Sequence, residues 1–261
     1  MEKRAPTPLL TEDEHDPVHL EREHGTSPIF LTCDHAGHRL PRELGDLGLS
    51  PQELRTHIGW DLGALGIATR LSKELDATLV GQLYSRLVID CNRRVDVPSS
   101  IPTRSENTVV PGNLDLDPGA RKARERAIHA PYHDTVSRLL DTRRDQQRPT
   151  VLIAVHSFTP IYDGVSRPWH ITFSTDEERS VVDPMLDWLR AETDLVVGDG
   201  EPFTVEDVDY TLPVHGIRRG IPRALIEVRQ DLVATEQGQE EWADRLATLL
   251  RHALDRIGSG S

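Results

Sequence analysis

Apolar residues along this 261-residue chain fall into short β-like runs that end on polar groups, interleaved with longer stretches whose apolar positions recur at helical spacing. The runs Pro28-Ile-Phe-Leu-Thr-Cys33, Leu87-Val-Ile, Val151-Leu-Ile-Ala-Val155 and Ala224-Leu-Ile lead into Asp34-His35, Asp90-Cys-Asn-Arg93, His156-Ser-Phe158 and Glu227. This pattern predicts strands near 29–33, 78–82, 86–90, 151–156, 170–174, 195–198 and 223–228, and helices near 51–57, 61–76, 119–145, 177–193 and 238–257. In the last helix Trp242, Leu246, Leu249, Leu250, Ala253 and Leu254 paint one stripe, which is a core face and not a cofactor site. Alternating strands and helices predict an α/β protein with a largely parallel or mixed sheet. The carboxyl ends of strands in such a sheet share one rim, where ligands bind, so the separated polar groups are expected to converge there.

The segment 1–27 is rich in Pro, Glu and His without apolar periodicity, and it is expected to be flexible, like the tail 258–261. His15, His19 and His24 in it are read as solvated side chains. No linker interrupts 28–257, which is taken as a single domain large enough to bury one substantial core. The stretch between 94 and 118 is too long for an ordinary connection and is either a cover over a site or simply mobile, and its position after Asn92-Arg93 favours a substrate-side loop. With 43 acidic against 30 basic residues, the formal charge of −13 argues against a general binder of nucleic acid or anionic membrane. Cys33 and Cys91 are too few for a disulfide scaffold and read as buried thiols. The chain has no apolar run of transmembrane length and no apolar region near Met1 to make a signal peptide, so a cytoplasmic protein is the expectation.

Two imidazoles, carboxylates and a guanidinium on one rim read as a metal hydrolase site. A catalytic zinc takes three protein ligands and leaves one position for water. His35 and His156 need a third partner from Asp61, His38, His57 or Asp34. Asp61 opens a predicted helix, where it could face the rim or merely cap the helix. His38 is disfavoured by Pro41, which argues against a helical turn after His35, and Gly59 weakens a shared face for His57 and Asp61. Alternation turns Glu227 away from Ile226 and Val228, and its carboxylate either pairs with Arg229 or serves as a general base. Arg93 suits a bidentate grip on a carboxylate, while Asp90 could pair with Arg86 or Arg93. Tyr210 and His215 are polar tips that could orient substrate or simply pack. No G-x-S-x-G elbow, dinucleotide or P-loop glycine motif, or C-x-x-C is present.

In order along the chain, Cys33-Asp-His-Ala-Gly37, His57-Ile-Gly-Trp-Asp61-Leu-Gly63, Ser85-Arg-Leu-Val-Ile-Asp-Cys-Asn-Arg93, His156-Ser-Phe-Thr-Pro160, Arg167-Pro-Trp-His170, Gly198-Asp-Gly-Glu-Pro-Phe203 and Ile226-Glu-Val-Arg-Gln-Asp-Leu232 resemble the N-formylglutamate amidohydrolase family over about 28–250. That resemblance implies a zinc-carboxypeptidase-like fold, a three-layer α/β/α sandwich around a mixed sheet. It further implies one Zn²⁺ per chain on His35, Asp61 and His156, with Glu227 as base. The implied substrate is a small anionic N-acyl amino acid held by Asn92 and Arg93, with Arg86, Tyr210 or His215 at its other end and His38 or His57 nearby. A carboxypeptidase has a metal-binding Glu where this chain has His38, so the third ligand departs from that pattern, and the resemblance points to Asp61 because its block recurs in the family. Gly200, where the family often has Asn, and Ile171-Thr-Phe-Ser bear on side-chain preference. The rival readings are a carboxypeptidase-like peptidase and a non-catalytic binder of small anions.

Overall fold

The computed structural model describes residues 8–192, 194–202 and 209–259. Its strands are β1 Val18–Glu21, β2 Ile29–Cys33, β3 Thr78–Gln82, β4 Arg104–Ser105, β5 Thr108–Val109, β6 Val151–Phe158, β7 Ile161–Tyr162, β8 Val165–Ser166, β9 Ile171–Ser174, β10 Val197–Asp199 and β11 Arg223–Arg229. The helices are α1 Pro51–Leu54, α2 Ala64–Leu75, α3 Pro118–Arg124, α4 Ala130–Asp145, α5 Val182–Glu192 and α6 Glu236–Ser259. Seven strands form one sheet in the order β1-β3-β2-β6-β11-β9-β10, while β4-β5 and β7-β8 are separate hairpins. The central strands β2, β6 and β11 run parallel, so their carboxyl ends lie side by side. The antiparallel β1–β3 and β11–β9 pairs make the sheet mixed. None of the described helices is long and apolar enough to cross a membrane.

Strand alternation divides the interior into two cores, one on each face of the sheet. Val151, Ile153, Val155, Ala224, Ile226 and Val228 pack against α2, α5 and α6 on one face. Leu152, Ala154 and Leu225 point the other way, toward Ile128, Tyr132, Val136 and Leu140 of the α3–α4 region. Both faces are therefore covered, as parallel strands require, and the layers are α/β/α. The register partners His156 and Glu227 follow Ala154 and Leu225 by two positions, which puts both side chains on the α4 face.

Several sequence expectations change. Residues 86–90 form no strand: Leu87, Val88 and Ile89 are buried in a loop that plugs the second core. Its backbone is satisfied locally, with Val88 N–H donating to Ser85 and Asp90 N–H to the carbonyl of Ser100. Burial, not ladder pairing, explains that apolar run. The segment 1–27 is not wholly outside the fold, since Leu9 is buried and Val18–Glu21 adds the antiparallel strand β1 along β3; residues 1–7, like 260–261 of the tail, lie outside the described residues. The second predicted helix begins at Ala64 and not at Asp61, because Gly63 adopts φ +79°, and a Cβ there would lie 2.4 Å from the Val233 carbonyl oxygen. The 119–145 prediction holds as a continuous rod with a π turn at Glu125–His129 between α3 and α4.

Leu246 of α6 is fully buried in the core against α2 and α5. Leu246→Ala is expected to lower unfolding free energy by about 2–5 kcal/mol in urea denaturation.

Candidate active site

A cavity of about 380 Å³ opens at the carboxyl ends of β2, β6 and β11. It is lined by His35, His57, Asp61, Arg86, Asn92, Arg93, His156 and Glu227 of the sequence candidates. His35 follows β2 directly, His156 lies on β6, and Glu227 stands beside His156 on β11. Asp61 comes from the turn before α2, where its N–H donates to the His35 carbonyl at 3.0 Å. Its side chain does not cap the helix. Its Oδ2 instead lies 3.3 Å from His35 Nδ1 and 2.8 Å from His156 Nδ1.

The opposite nitrogen of each ring is held by another carboxylate. His35 Nε2 is 2.7 Å from Asp90 Oδ1, and His156 Nε2 is 3.0 Å from Asp34 Oδ2. Asp34 also accepts from the Thr211 hydroxyl at 2.5 Å. His35, Asp61 and His156 offer ligand atoms all within 4.8 Å of one another, and all three residues are buried. This is the arrangement in which an imidazole bonds an ion through one nitrogen while a carboxylate fixes the other.

Charge is concentrated here. Burial would push the Asp90 carboxyl up, but the Arg86 guanidinium, 2.7 Å away, holds it well below the usual range. Burial pulls His156 down, yet its bonds to Asp34 and Asp61 hold the imidazole well above its ordinary value. Burial drives Glu227 up, opposed by the nearby His156 charge and reinforced by Asp61. Arg229 bonds Asp231 at 2.7 Å, so the expected alternative of a Glu227–Arg229 pair gives way to a carboxylate exposed to the cavity.

Other candidates take different places. Arg86 lines the cavity, where its guanidinium bonds Asp90 and lies 3.6 Å from Asp61, so these contacts balance buried charge. His38 is absent from the cavity wall, its ring 4.7 Å from Trp60. His57 lies at the mouth, 2.7 Å from Glu106, whose other oxygen accepts the Asp163 N–H from the turn between β7 and β8. Tyr210 and His215 also lie behind the wall: His215 is fully buried against His133, and the Tyr210 ring packs on His129 and His133. The Tyr210 main chain does matter, because its N–H and that of Thr211 donate to Asn92 Oδ1 at 2.8 and 3.0 Å.

Sequence reasoning missed several cavity residues, Asp209, Arg167 and Ser105 among them. Asp209 is half-buried, and desolvation with the neighbouring Asp34 charge pushes its carboxyl up to about 6. Arg167 lies over the Tyr162 ring at 4.6 Å, and Ser105 comes from the β4–β5 hairpin. Arg167 opens the block Arg167-Pro-Trp-His170, and the hairpin had a signal in the overlong connection after Arg93, whose Ser99, Pro102 and Ser105 line the cavity.

The sequence model of the N-formylglutamate amidohydrolases matches residues 27–234 of this chain. The chain belongs to the N-formylglutamate amidohydrolase family. A gene product of Agrobacterium tumefaciens, Atu2144, has a similar crystal structure, with 39% identity and a TM-score of 0.93 over 96% of this chain and 99% of that one. An N-formylglutamate amidohydrolase from Ralstonia eutropha JMP134 shares the fold at 18% identity, with a TM-score of 0.66 over 94% of this chain and 100% of its own. No curated protein sequence matches the chain. Family membership supports an amidohydrolase-like hydrolase, with the cavity at the strand ends as its candidate centre.

Removing the Arg86 guanidinium leaves Asp90 Oδ2, buried in this cluster, without its hydrogen-bonding cation. Arg86→Met is expected to destabilise the chelator-treated protein by about 3 kcal/mol in urea denaturation.

Proposed function

We propose that the protein is a metal-dependent amidohydrolase that removes a formyl or other small acyl group from an acidic amino acid, with N-formylglutamate as the representative substrate. The observation that carries this reading is the convergence of His35, Asp61 and His156, backed by Asp90 and Asp34, beside the Glu227 carboxylate. A divalent ion fits the donor chemistry. Asp34, Asp61 and Asp90 set three carboxylates around His35 and His156, with the Arg86 guanidinium bonded to Asp90. Two imidazole nitrogens and a carboxylate oxygen also form a ligand set that suits zinc.

When bound, zinc would supply a Lewis acid that polarises the amide carbonyl and eases deprotonation of water toward neutral pH. His35, Asp61 and His156 would hold it, with Asp90 and Asp34 fixing the ring orientations. Glu227 accepts the proton of the attacking water and returns it to the amine nitrogen as the C–N bond breaks. Its raised pKa, caused chiefly by burial, suits both halves of that transfer. Arg93 offers a guanidinium for the substrate α-carboxylate, and Asn92 stands beside it on the same turn. The likeness of His156-Ser-Phe and Asn92-Arg93 to carboxypeptidase motifs supports the same division of labour.

Purified protein supplied with zinc is expected to release formate from N-formylglutamate, and chelation should abolish this until zinc is restored. Glu227→Gln should retain metal by elemental analysis while kcat falls by roughly 10²–10⁴-fold. Wild-type rates in that variant would remove Glu227 as the base. Asp34→Asn, which loses the carboxylate behind His156, should weaken metal binding about 10–100-fold in a competition titration.

A further inference from the structure

The two π turns among the described residues, Glu125–His129 and Leu212–Gly216, bring histidines to one place behind the cavity wall. Each lies at a proline that cannot donate a helical hydrogen bond, Pro131 just after the first and Pro213 within the second. His129 and His133, one turn apart on the α3–α4 rod, have ring centroids 4.3 Å apart, and His133 stacks on His215 at 5.1 Å with the planes 15° apart.

Their hydrogen bonds fix the tautomers. His133 Nε2 lies 2.8 Å from the Cys91 carbonyl oxygen, which only accepts, so Nε2 carries the proton. His133 Nδ1 is then an acceptor, and His215 Nε2, 2.8 Å away, must donate to it. His215 Nδ1 is left to accept from the Ser137 hydroxyl at 3.4 Å. His129 Nε2 donates in the same way to the Arg93 carbonyl at 3.1 Å. Burial, with His129 and His215 nearby, holds His133 down to about 3. Burial, Arg219 and Arg218 outweigh the Asp34 charge and hold His215 down to about 4. Both rings thus stay neutral, as the relay requires.

These bonds fall on either side of Asn92. The carbonyls of residues 91 and 93 are gripped from α4, the Asn92 N–H donates to Asp90 Oδ1 at 2.9 Å, and its own carbonyl accepts from Arg93 at 2.8 Å. The Asn92 amide oxygen, taking the Tyr210 and Thr211 N–H groups, ties this turn to the π turn that carries His215. We propose that His133, locked by His215 and assisted by His129, is a positioning residue that aims Asn92 and Arg93 at the anionic end of the substrate. It touches no reacting atom and acts through the Cys91 and Arg93 carbonyls.

The kinetic arm of the test rests on the amidohydrolase reading above; two other arms do not. His133→Phe keeps the ring volume but loses the bond to Cys91, whereas His133→Gln can still donate from its amide nitrogen. With N-formylglutamate, His133→Phe should raise KM roughly ten- to hundredfold with kcat within about threefold and metal content unchanged, and His133→Gln should restore most of the loss. By hydrogen exchange, the Tyr210 and Thr211 amides should exchange faster in the Phe variant and keep their protection in the Gln variant. In the wild type, ¹⁵N NMR should find His133 and His215 as neutral Nε2–H tautomers that do not titrate between about pH 5 and 8. Equal KM values in wild type and the Phe variant, unchanged exchange, or an Nδ1–H His133 would each overturn the proposal. If the wild type does not act on N-formylglutamate, the substrate reading fails while exchange and tautomer still decide this one, and if the Phe variant does not fold, the wild-type tautomer decides it.

Discussion

Everything at the centre of this protein turns on one buried oxygen, Asp61 Oδ2, shared by the Nδ1 atoms of His35 and His156. A carboxylate in an apolar interior is costly unless it is paired, and here the pairing is mutual. The same contact that settles Asp61 selects which ring nitrogen of each histidine faces inward, and the outward nitrogens then need Asp90 and Asp34. Arg86 follows as the cation that balances Asp90 and Asp61. The surrounding segments hold this polar group in place: the 86–90 run is folded as an apolar plug beside it, and α2 starts three residues late so that Asp61 stays in the turn.

Much of this was legible in the amino-acid pattern. The strand runs at 29–33, 151–156 and 223–228 were visible as apolar blocks, and their polar endings do meet at one rim. The Glu227 orientation followed from Ile226 and Val228 alone, because alternation in a strand leaves no other choice. What failed has a common cause. Leu87-Val-Ile looked like a strand because hydrophobicity reports burial and not hydrogen-bond geometry, and those residues are buried without a ladder. Val18–Glu21 had the opposite problem: an edge strand with every residue half-exposed shows little apolar signal.

Side-chain roles were less legible than elements. His215 and Tyr210 looked like substrate contacts because polar tips on an apolar stretch are ambiguous, and only the fold shows that they face α4 and not the cavity. His129 and His133 carried the one overlooked signal, a pair four residues apart on a helix, which places both imidazoles on one side. Asp209 gave none, since an isolated acidic residue acquires meaning only from the Asp34 charge that the fold brings near it.

The strands that hold the centre are neighbours in space but far apart along the chain. Between β2 and β6 the chain must lay down α1 to α4, and between β6 and β11 it must add the outer strands β9 and β10 with α5. Such distant pairings are slow to form, because loop closure is costly before contacts reward it. His35 and Asp61 are only 26 residues apart, but His156, 95 residues beyond Asp61, joins them only once β6 has paired with β2. The three-way contact on Asp61 Oδ2 is therefore a late product of folding, and its integrity reports that β2 and β6 have found each other.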